Sequence, residues 1–139
     1  MKLHEQIKRH EGFREKPYKC TAGKLTIGYG WNLDDGIEEH IAEFILIKQI
    51  SKLQWHLLQE FEWFKSKDIT NAQRDVITNM CFNLGIGGFR KFKKTIKAIE
   101  ERDFEEAAKE MLDSRWAVQV GERAEELAEQ MRTGKYREE

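Results

Sequence analysis

The chain has 139 residues, a usual size for one domain, and 40% of them are hydrophobic while 35% are charged. This composition excludes a disordered chain, and no stretch approaches the roughly 18 consecutive apolar residues of a membrane span. The net charge of -1 disfavours nucleic-acid binding, which needs a basic excess on one face. Two cysteines are too few for a disulfide framework, and residues 1–10 lack the apolar core of a secretory signal. We therefore expect free thiols and a chain that begins in a cytoplasm.

A short predicted helix at the start of the chain ends at an acidic residue. Leu3 and Ile7 are four residues apart and share one helix face, and Glu11 is next on the same stripe. A carboxylate therefore occupies a position where a core residue is expected. Gly12 follows and can adopt the left-handed conformation that ends a helix, which predicts that Glu11 lies at the helix C-terminus.

Residues 17–33 are the part of the chain whose sequence predicts β structure. Strand-forming residues flank a glycine-bearing turn at residues 21–23, which predicts a hairpin with a short third strand. Cys20 is expected at the hairpin tip, where packing alone does not explain a cysteine. A loop over residues 21–25 would pair Cys20 with Thr26, whereas a shorter loop would offset them by one residue, and the sequence leaves this open.

The rest of the chain is predicted to be helical. One long helix or two abutting helices are expected from about residue 38 to 64. Thr70 and Gln73 form a capping-box pattern before a buried central helix over residues 71–84, which the glycines at 85–88 end. Cys81 is expected in the core of this helix. Three further helices are predicted over residues 89–101, 104–112 and 122–131. The predicted fold class is α+β, mostly α, in a single domain.

Two other features have more than one interpretation. His4 and His10 are six residues apart and cannot share a helix face as zinc ligands do, so no metal is expected. Residues 90–97 hold five basic residues and no acid, which indicates either a solvated helix face or a contact with an anionic polymer.

The remaining combination is Glu11, Cys20 and Thr26, which a helix end and a hairpin bring together. We expect a buried acid beside two small polar side chains, an arrangement suited to attack by water on a polarised bond. With the following Ile27-Gly28-Tyr29-Gly30, the spacing of these residues resembles that of the phage-type lysozymes, the class of the T-even phage enzyme.

The resemblance continues along nearly the whole chain, with a shorter connection after the hairpin than in the T-even enzyme. It includes residues 82–85, 92–95, 114–119, 123–124 and 132–134. It implies a two-lobed lysozyme-like fold, with a small lobe over about residues 12–40 and a helical lobe over about residues 60–139. The N-terminal helix is expected with the helical lobe, and a long helix is expected to join the two lobes.

The resemblance also implies an activity. The family cleaves the β-1,4 bond between N-acetylmuramic acid and N-acetylglucosamine in bacterial peptidoglycan, with inversion and without a cofactor. Peptidoglycan is therefore the expected partner, with no nucleic acid, no membrane insertion and a monomeric chain. Without a signal, the enzyme is expected to stay in the host bacterial cytoplasm until a separate pore-former releases it to the cell wall.

Applied to this chain, the family pattern makes Glu11 the general acid and Thr26 the residue that binds the attacking water. Cys20 occupies the place of the second catalytic carboxylate, where the T-even pattern has aspartate. A thiol is mostly neutral at pH 7 and serves as a base only if its pKa is lowered. The role of Cys20 stays open at this point: it acts as a base, positions the water or does neither.

Four further residues match family positions. Leu33, Phe82 and Thr95 match positions that line the substrate cleft, and Arg123 matches the arginine that pairs with the acid. Two alternatives to a hydrolase stay open, and the departure at Cys20 supports the second of them. A lytic transglycosylase would cut the same bond with one glutamate and no water, and an inactive lysozyme fold would only bind glycans.

Overall fold

The computed structural model describes residues 2–137, which form a mostly helical fold with one small antiparallel sheet. This confirms the predicted fold class. The chain divides after Leu46 into two compact units, called here the N-terminal and the C-terminal unit. The lobe boundaries given above, and the place of the N-terminal helix among them, stay predictions.

The N-terminal unit begins with helix α1, Lys2–Glu11. Gly12 ends the helix with a φ of 71°, and its amide donates to the Lys8 carbonyl at 2.9 Å, which confirms the predicted helix end. None of the ten described residues of α1 is buried, so the expectation that its stripe faces a core is wrong. Eight of the ten are polar or charged, which leaves Leu3 and Ile7 as its apolar residues.

The sheet has strands β1 (Arg14–Lys19), β2 (Leu25–Gly28) and β3 (Trp31–Asn32), in the order β1-β2-β3. The predicted hairpin and short third strand are therefore confirmed. The pairing of β1 with β2 is irregular between Arg14 and Tyr18. Pro17 lies in this irregular part of an edge strand, a place that suits a residue without an N–H donor.

A single long helix, α2 (Glu39–Glu60), runs from the N-terminal into the C-terminal unit, and a 3-10 turn, Glu62–Lys65, follows it. Helix α3 spans Asn71–Arg90. Thr70 and Gln73 make both hydrogen bonds of the predicted capping box. Gly85 has a φ of 76° and a ψ of 159°, so the regular helix stops at residue 84 as predicted and a short helical segment follows.

Four helices complete the C-terminal unit, namely α4 (Lys93–Glu100), α5 (Phe104–Leu112), α6 (Arg115–Val120) and α7 (Glu122–Thr133). The predictions for α5 and α7 are confirmed. The predicted start of α4 at residue 89 is wrong, because residues 89–90 end the preceding helical segment. Helix α6 was not predicted, although the Ser114 side chain caps it by accepting from the Ala117 amide at 3.1 Å.

The core of the C-terminal unit surrounds α3. Val76, Ile77 and Met80 are completely buried, and Cys81 beside them is confirmed as a core residue. Burial raises the pKa of the Cys81 thiol to about 12, so this cysteine stays neutral and unreactive at neutral pH. Buried side-chain amides also join α3 to α7, where Gln73 Nε2 donates to the Met131 carbonyl at 2.9 Å.

Candidate active site

Glu11 ends α1 and lies against a glycine. A β-carbon added to Gly30 would come within 2.9 Å of Glu11 Oε2, so the missing side chain of Gly30 makes room for the carboxylate. The φ of Gly30, +84°, also favours glycine. Glu11 is exposed, so the expectation of a buried acid is wrong. None of the described residues of α1 is buried, so the acid at its end has no core to enter.

Cys20 and Thr26 lie on the same face of the hairpin. Tyr18 pairs with Thr26 and Lys19 with Leu25, while the Cys20 amide donates to the Lys24 carbonyl at 2.9 Å. Cys20 is therefore opposite Lys24, two residues from Thr26 in register. The loop is therefore shorter than residues 21–25, as one of the two alternatives had it, but the expected offset of one residue was wrong. An offset of two keeps the side chains on one face as diagonal neighbours.

The Thr26 hydroxyl has a fixed orientation. Thr26 is only 4% exposed, and its Oγ1 donates to the Lys24 carbonyl at 2.9 Å. A hydroxyl whose hydrogen is committed in this way keeps its lone pairs as acceptors. Thr26 can therefore accept a hydrogen bond from a water molecule and leave that water's own lone pair free to attack.

Backbone amides surround the Cys20 thiol. Hydrogen bonds from the amides of Lys24 and Ala22 lower the pKa of Cys20 below its usual value, although desolvation opposes them. A tight turn creates this environment, because the Gly23 amide donates to the Cys20 carbonyl at 2.8 Å. The hairpin tip thus favours the thiolate, the form in which a cysteine accepts a proton.

Asn32, which was not predicted from the sequence, lies in the neighbouring strand β3 and pairs with Thr26. Directly opposed residues share a face of a sheet, so Asn32 belongs to the face of Cys20 and Thr26. Its Oδ1 accepts from the Asp34 amide at 3.0 Å. Leu33, the next residue, begins a 3-10 turn and is exposed. A prediction of the register of β3 against β2 would have identified Asn32 as a residue of this face.

The other candidate residues belong to the C-terminal unit. Phe82 is an exposed residue of α3, and Thr95 is a buried residue of α4. Arg123 of α7 donates through Nε and Nη2 to Asn79 Oδ1, at 3.1 and 2.5 Å. The structure thus places Glu11, Cys20, Thr26 and Leu33 in one unit, and Phe82, Thr95 and Arg123 in the other. The pairing of Arg123 with Glu11 stays a prediction.

Thr95 lines a groove of about 560 Å³ in the C-terminal unit. Phe92 and Trp116 form an edge-to-face pair in its wall, with ring centroids 6.0 Å apart. The Trp116 ring is held in place because its Nε1 donates to Asn83 Oδ1 at 2.9 Å. Glu110 also lines this groove and was missed by the sequence analysis.

The basic run divides into two parts. Arg90 donates to both carboxylate oxygens of Glu60, at 2.7 and 2.5 Å, so its charge is paired. Lys91, Lys93 and Lys94 instead line the groove of Thr95. Part of the run therefore borders a concave surface, as a contact with an anionic polymer requires, and part serves the structure of the protein.

Comparison with known proteins decides the family. A family profile described as "Phage lysozyme" matches residues 8–133. The chain belongs to the phage lysozyme family. This phage lysozyme is therefore a glycoside hydrolase of the lysozyme type, a class that acts on bacterial peptidoglycan.

Individual relatives of this lysozyme agree with the assignment. It is 32% identical over 110 residues to "Endolysin" of Acyrthosiphon pisum secondary endosymbiont phage 1, covering 76% of this chain and 72% of the relative. It is 28% identical over 164 aligned positions to "Probable T4-type lysozyme 2" of Dictyostelium discoideum, covering 98% and 96%. It also matches 28% of the length of "Pre-baseplate central spike protein Gp5" of Enterobacteria phage T4, at 27% identity over 96% of this chain. Across residues 2–137, each helix of this lysozyme is too short or too polar to cross a membrane.

Proposed function

We propose that this lysozyme cleaves the β-1,4 bond between N-acetylmuramic acid and N-acetylglucosamine by direct attack of water, with inversion at the anomeric carbon. The observation that carries the proposal is the placement of Cys20 and Thr26 on one face of the hairpin, with the Thr26 hydroxyl hydrogen already committed to the Lys24 carbonyl. A site prepared to accept hydrogens from water suits hydrolysis better than transglycosylation, which uses no water.

Glu11 acts as the general acid in this proposal. The carboxylic acid gives its proton to the glycosidic oxygen as the bond to the anomeric carbon breaks, so that the leaving sugar departs with a neutral hydroxyl. The missing side chain of Gly30 leaves room for the carboxyl group in this position.

Thr26 and Cys20 act on the water. The water donates one hydrogen to Thr26 Oγ1 and directs a lone pair at the anomeric carbon, and the Cys20 thiolate takes the proton that the attacking water loses. The products are a reducing muramic acid end and a free 4-hydroxyl on N-acetylglucosamine. Proton exchange with solvent then returns Glu11 to the acid form and Cys20 to the thiolate.

The remaining candidate residues bind substrate in this proposal. Leu33, Phe82 and Thr95 contact the glycan, and Arg123 pairs with Glu11. The aromatic wall and polar rim of the groove beside Thr95 support its share of this role, because ligand sites combine apolar surface with a few placed polar groups.

We also propose that the chain works as a monomer and reaches the wall through a separate pore-former. The family's activity on peptidoglycan supports the destination of the enzyme. Expression of this chain alone in a bacterial host should leave the cells intact until the inner membrane is damaged. Lysis without such damage would contradict the delivery route and leave the catalytic proposal unaffected.

Glu11→Gln tests the catalytic proposal. The amide keeps the shape of the side chain but has no transferable proton, so activity on purified peptidoglycan should fall by at least about 100-fold. The midpoint of thermal unfolding should be unchanged or higher, because acids placed for function are often poorly stabilised by their surroundings. Glu5→Gln, at an exposed acid on the same helix, is the matched control and should keep wild-type activity. More than about a tenth of the activity in Glu11→Gln would contradict the role of the acid.

Mass spectrometry of wild-type digests tests the reaction type. Hydrolysis adds one water to each cleaved bond and leaves reducing muramic ends. Anhydro-muramic ends in the digest would instead indicate a transglycosylase and would remove the role of Thr26.

A further inference from the structure

The N-terminal unit has a second concave surface, called here the rear groove, with a volume of about 890 Å³. Its lining includes Asn32, which shares the face of Thr26, but other lining residues lie on the opposite face of the sheet. Ile27 pairs with Trp31 across β2 and β3, and both line the rear groove. Because successive residues of a strand point to opposite faces, Ile27 and Trp31 face away from Thr26.

Aromatic rings form much of the wall of the rear groove. The exposed fractions of Phe13, Tyr29 and Trp31 are 63%, 45% and 42%. Phe13 and Tyr29 pack together with ring centroids 5.5 Å apart. The Trp31 indole donates through Nε1 to the Gly36 carbonyl at 3.1 Å, which fixes the ring. Exposed rings held in this way form rigid apolar platforms, which lose little conformational entropy when a ligand binds.

The charged residues of the rear groove are mostly acidic. Three carboxylates line it, those of Glu15, Asp35 and Glu38, against the single guanidinium of Arg14. The Arg14 guanidinium lies over the Tyr18 ring, 4.6 Å from its centroid. The excess of negative charge disfavours a phosphate or carboxylate group inside the groove itself and supplies acceptors for hydroxyl and amide hydrogens.

We propose that the rear groove is an accessory binding site for an uncharged, N-acetylated oligosaccharide segment of the glycan strand. Sugar rings present flat C–H faces that pack on aromatic platforms, and their hydroxyl and acetamido groups donate to carboxylates. The volume of the rear groove lies within the range typical of ligand sites, which combine apolar walls with a few polar groups. The proposal rests on the proposed glycan specificity, and the aromatic side chains of the groove take no part in bond cleavage. It would hold the enzyme on the insoluble wall between cleavage events.

Nuclear magnetic resonance of the indole N–H groups tests binding directly. Chitohexaose is titrated into uniformly ¹⁵N-labelled Glu11→Gln, which keeps the probe intact. The Trp31 indole signal should shift in a saturable way, while the signal of Trp55, an exposed residue of α2, should stay unchanged. An unshifted Trp31 signal at saturation of the catalytic site would overturn the proposal. Products appearing during the titration would instead show that Glu11 is not essential, which separates failure of the catalytic proposal from failure of this one.

Substitutions then test the function of the rear groove. Trp31→Ala should weaken binding to insoluble peptidoglycan by about tenfold, the size of a typical aromatic anchor contribution. Turnover of a short soluble oligosaccharide that occupies only the catalytic site should be unchanged. Trp55→Ala is the control and should match wild type in both assays. Phe13→Ala, at a more exposed position, gives a second test if Trp31→Ala folds poorly. Wild-type wall binding by both groove variants, or an equal loss in the soluble assay, would overturn an accessory site.

Discussion

The N-terminal and C-terminal units are built on different physical principles. Among residues 2–137, every buried hydrophobic side chain lies between Leu57 and Met131, in the C-terminal unit. In residues 2–46 the one buried side chain is that of Thr26, which is polar. Apolar packing therefore maintains the C-terminal unit, whereas backbone hydrogen bonds and turns define the N-terminal unit.

The difference between the two units indicates where this lysozyme can place catalytic residues. Residues proposed for proton transfer and water binding, Glu11, Cys20 and Thr26, lie where few side chains serve a core. Their positions follow from a helix end, a tight turn and a strand register, all of which are backbone features. Side chains in such places can be replaced with little effect on folding, so stability and activity should respond to substitutions in different units.

The largest expected effect on stability is in the C-terminal unit. Phe89 is fully buried and packs edge-to-face on Phe61, with ring centroids 6.0 Å apart. Phe89→Ala should lower the free energy of unfolding by about 3–5 kcal/mol, through lost burial and the cavity left behind. Denaturant unfolding measures this loss. Phe13→Ala makes the same chemical change in the N-terminal unit and should shift stability by less than about 0.5 kcal/mol. Similar losses in both variants would contradict the difference between the units.

Substitution of Cys20 should have the opposite effect, a large loss of activity with little change in stability. Cys20→Ser keeps a small hydrogen-bonding group but removes the accessible ionisation, so it should lower kcat by about 100-fold with little change in thermal stability. Cys20→Asp restores a carboxylate and should be active. Initial rates on soluble peptidoglycan fragments give kcat for each variant. Near wild-type activity in Cys20→Ser would mean that the side chain only positions the water.

The pH dependence sharpens this prediction. A base works when ionised, and the lowered pKa of Cys20 moves the appearance of the thiolate to lower pH than for an ordinary cysteine. Wild-type activity relative to Cys20→Asp should therefore rise as pH increases towards that pKa, because an aspartate is already ionised above about pH 4. The ratio of the two rates between pH 5 and 9 measures the effect. A constant ratio would argue against thiolate catalysis.

The smallest expected effect concerns the basic run. Replacing Lys93, Lys94 and Lys97 together by glutamine should weaken binding to whole peptidoglycan several-fold at low salt, with little change in turnover of uncharged oligosaccharides. The difference should shrink as salt rises, because exposed charges are screened within about 8 Å at physiological ionic strength. Sedimentation of the protein with insoluble wall measures binding.

Three exposed lysines elsewhere in the C-terminal unit, Lys52, Lys65 and Lys67, provide the control when replaced in the same way. Equal wall binding by the two triple variants would leave the basic run as a solvated surface.

Much of the fold follows from local signals in the sequence. The capping pair Thr70 and Gln73, and the glycines at positions 12 and 85, define helix ends that the structure confirms. Helix α6 was missed because its six residues span less than two turns, too few to show a periodic apolar pattern.

The details of the site depended on geometry that composition does not determine. The offset between Cys20 and Thr26 follows from a three-residue tip closed at Gly23, whose φ is 78°, and several tip lengths were compatible with the same residues. The exposure of Glu11 likewise depends on tertiary packing rather than on its place in an apolar stripe.

The most direct test of the proposed mechanism is the anomeric configuration of the first product. A soluble peptidoglycan fragment is cleaved in the spectrometer, and the anomeric proton signals of the new reducing end are recorded before mutarotation mixes them. Attack by a water held at Thr26 predicts that the α-anomer appears first from the β-linked substrate. The β-anomer as first product would show retention, and it would contradict direct attack by water in favour of a covalent intermediate such as a thioglycoside at Cys20.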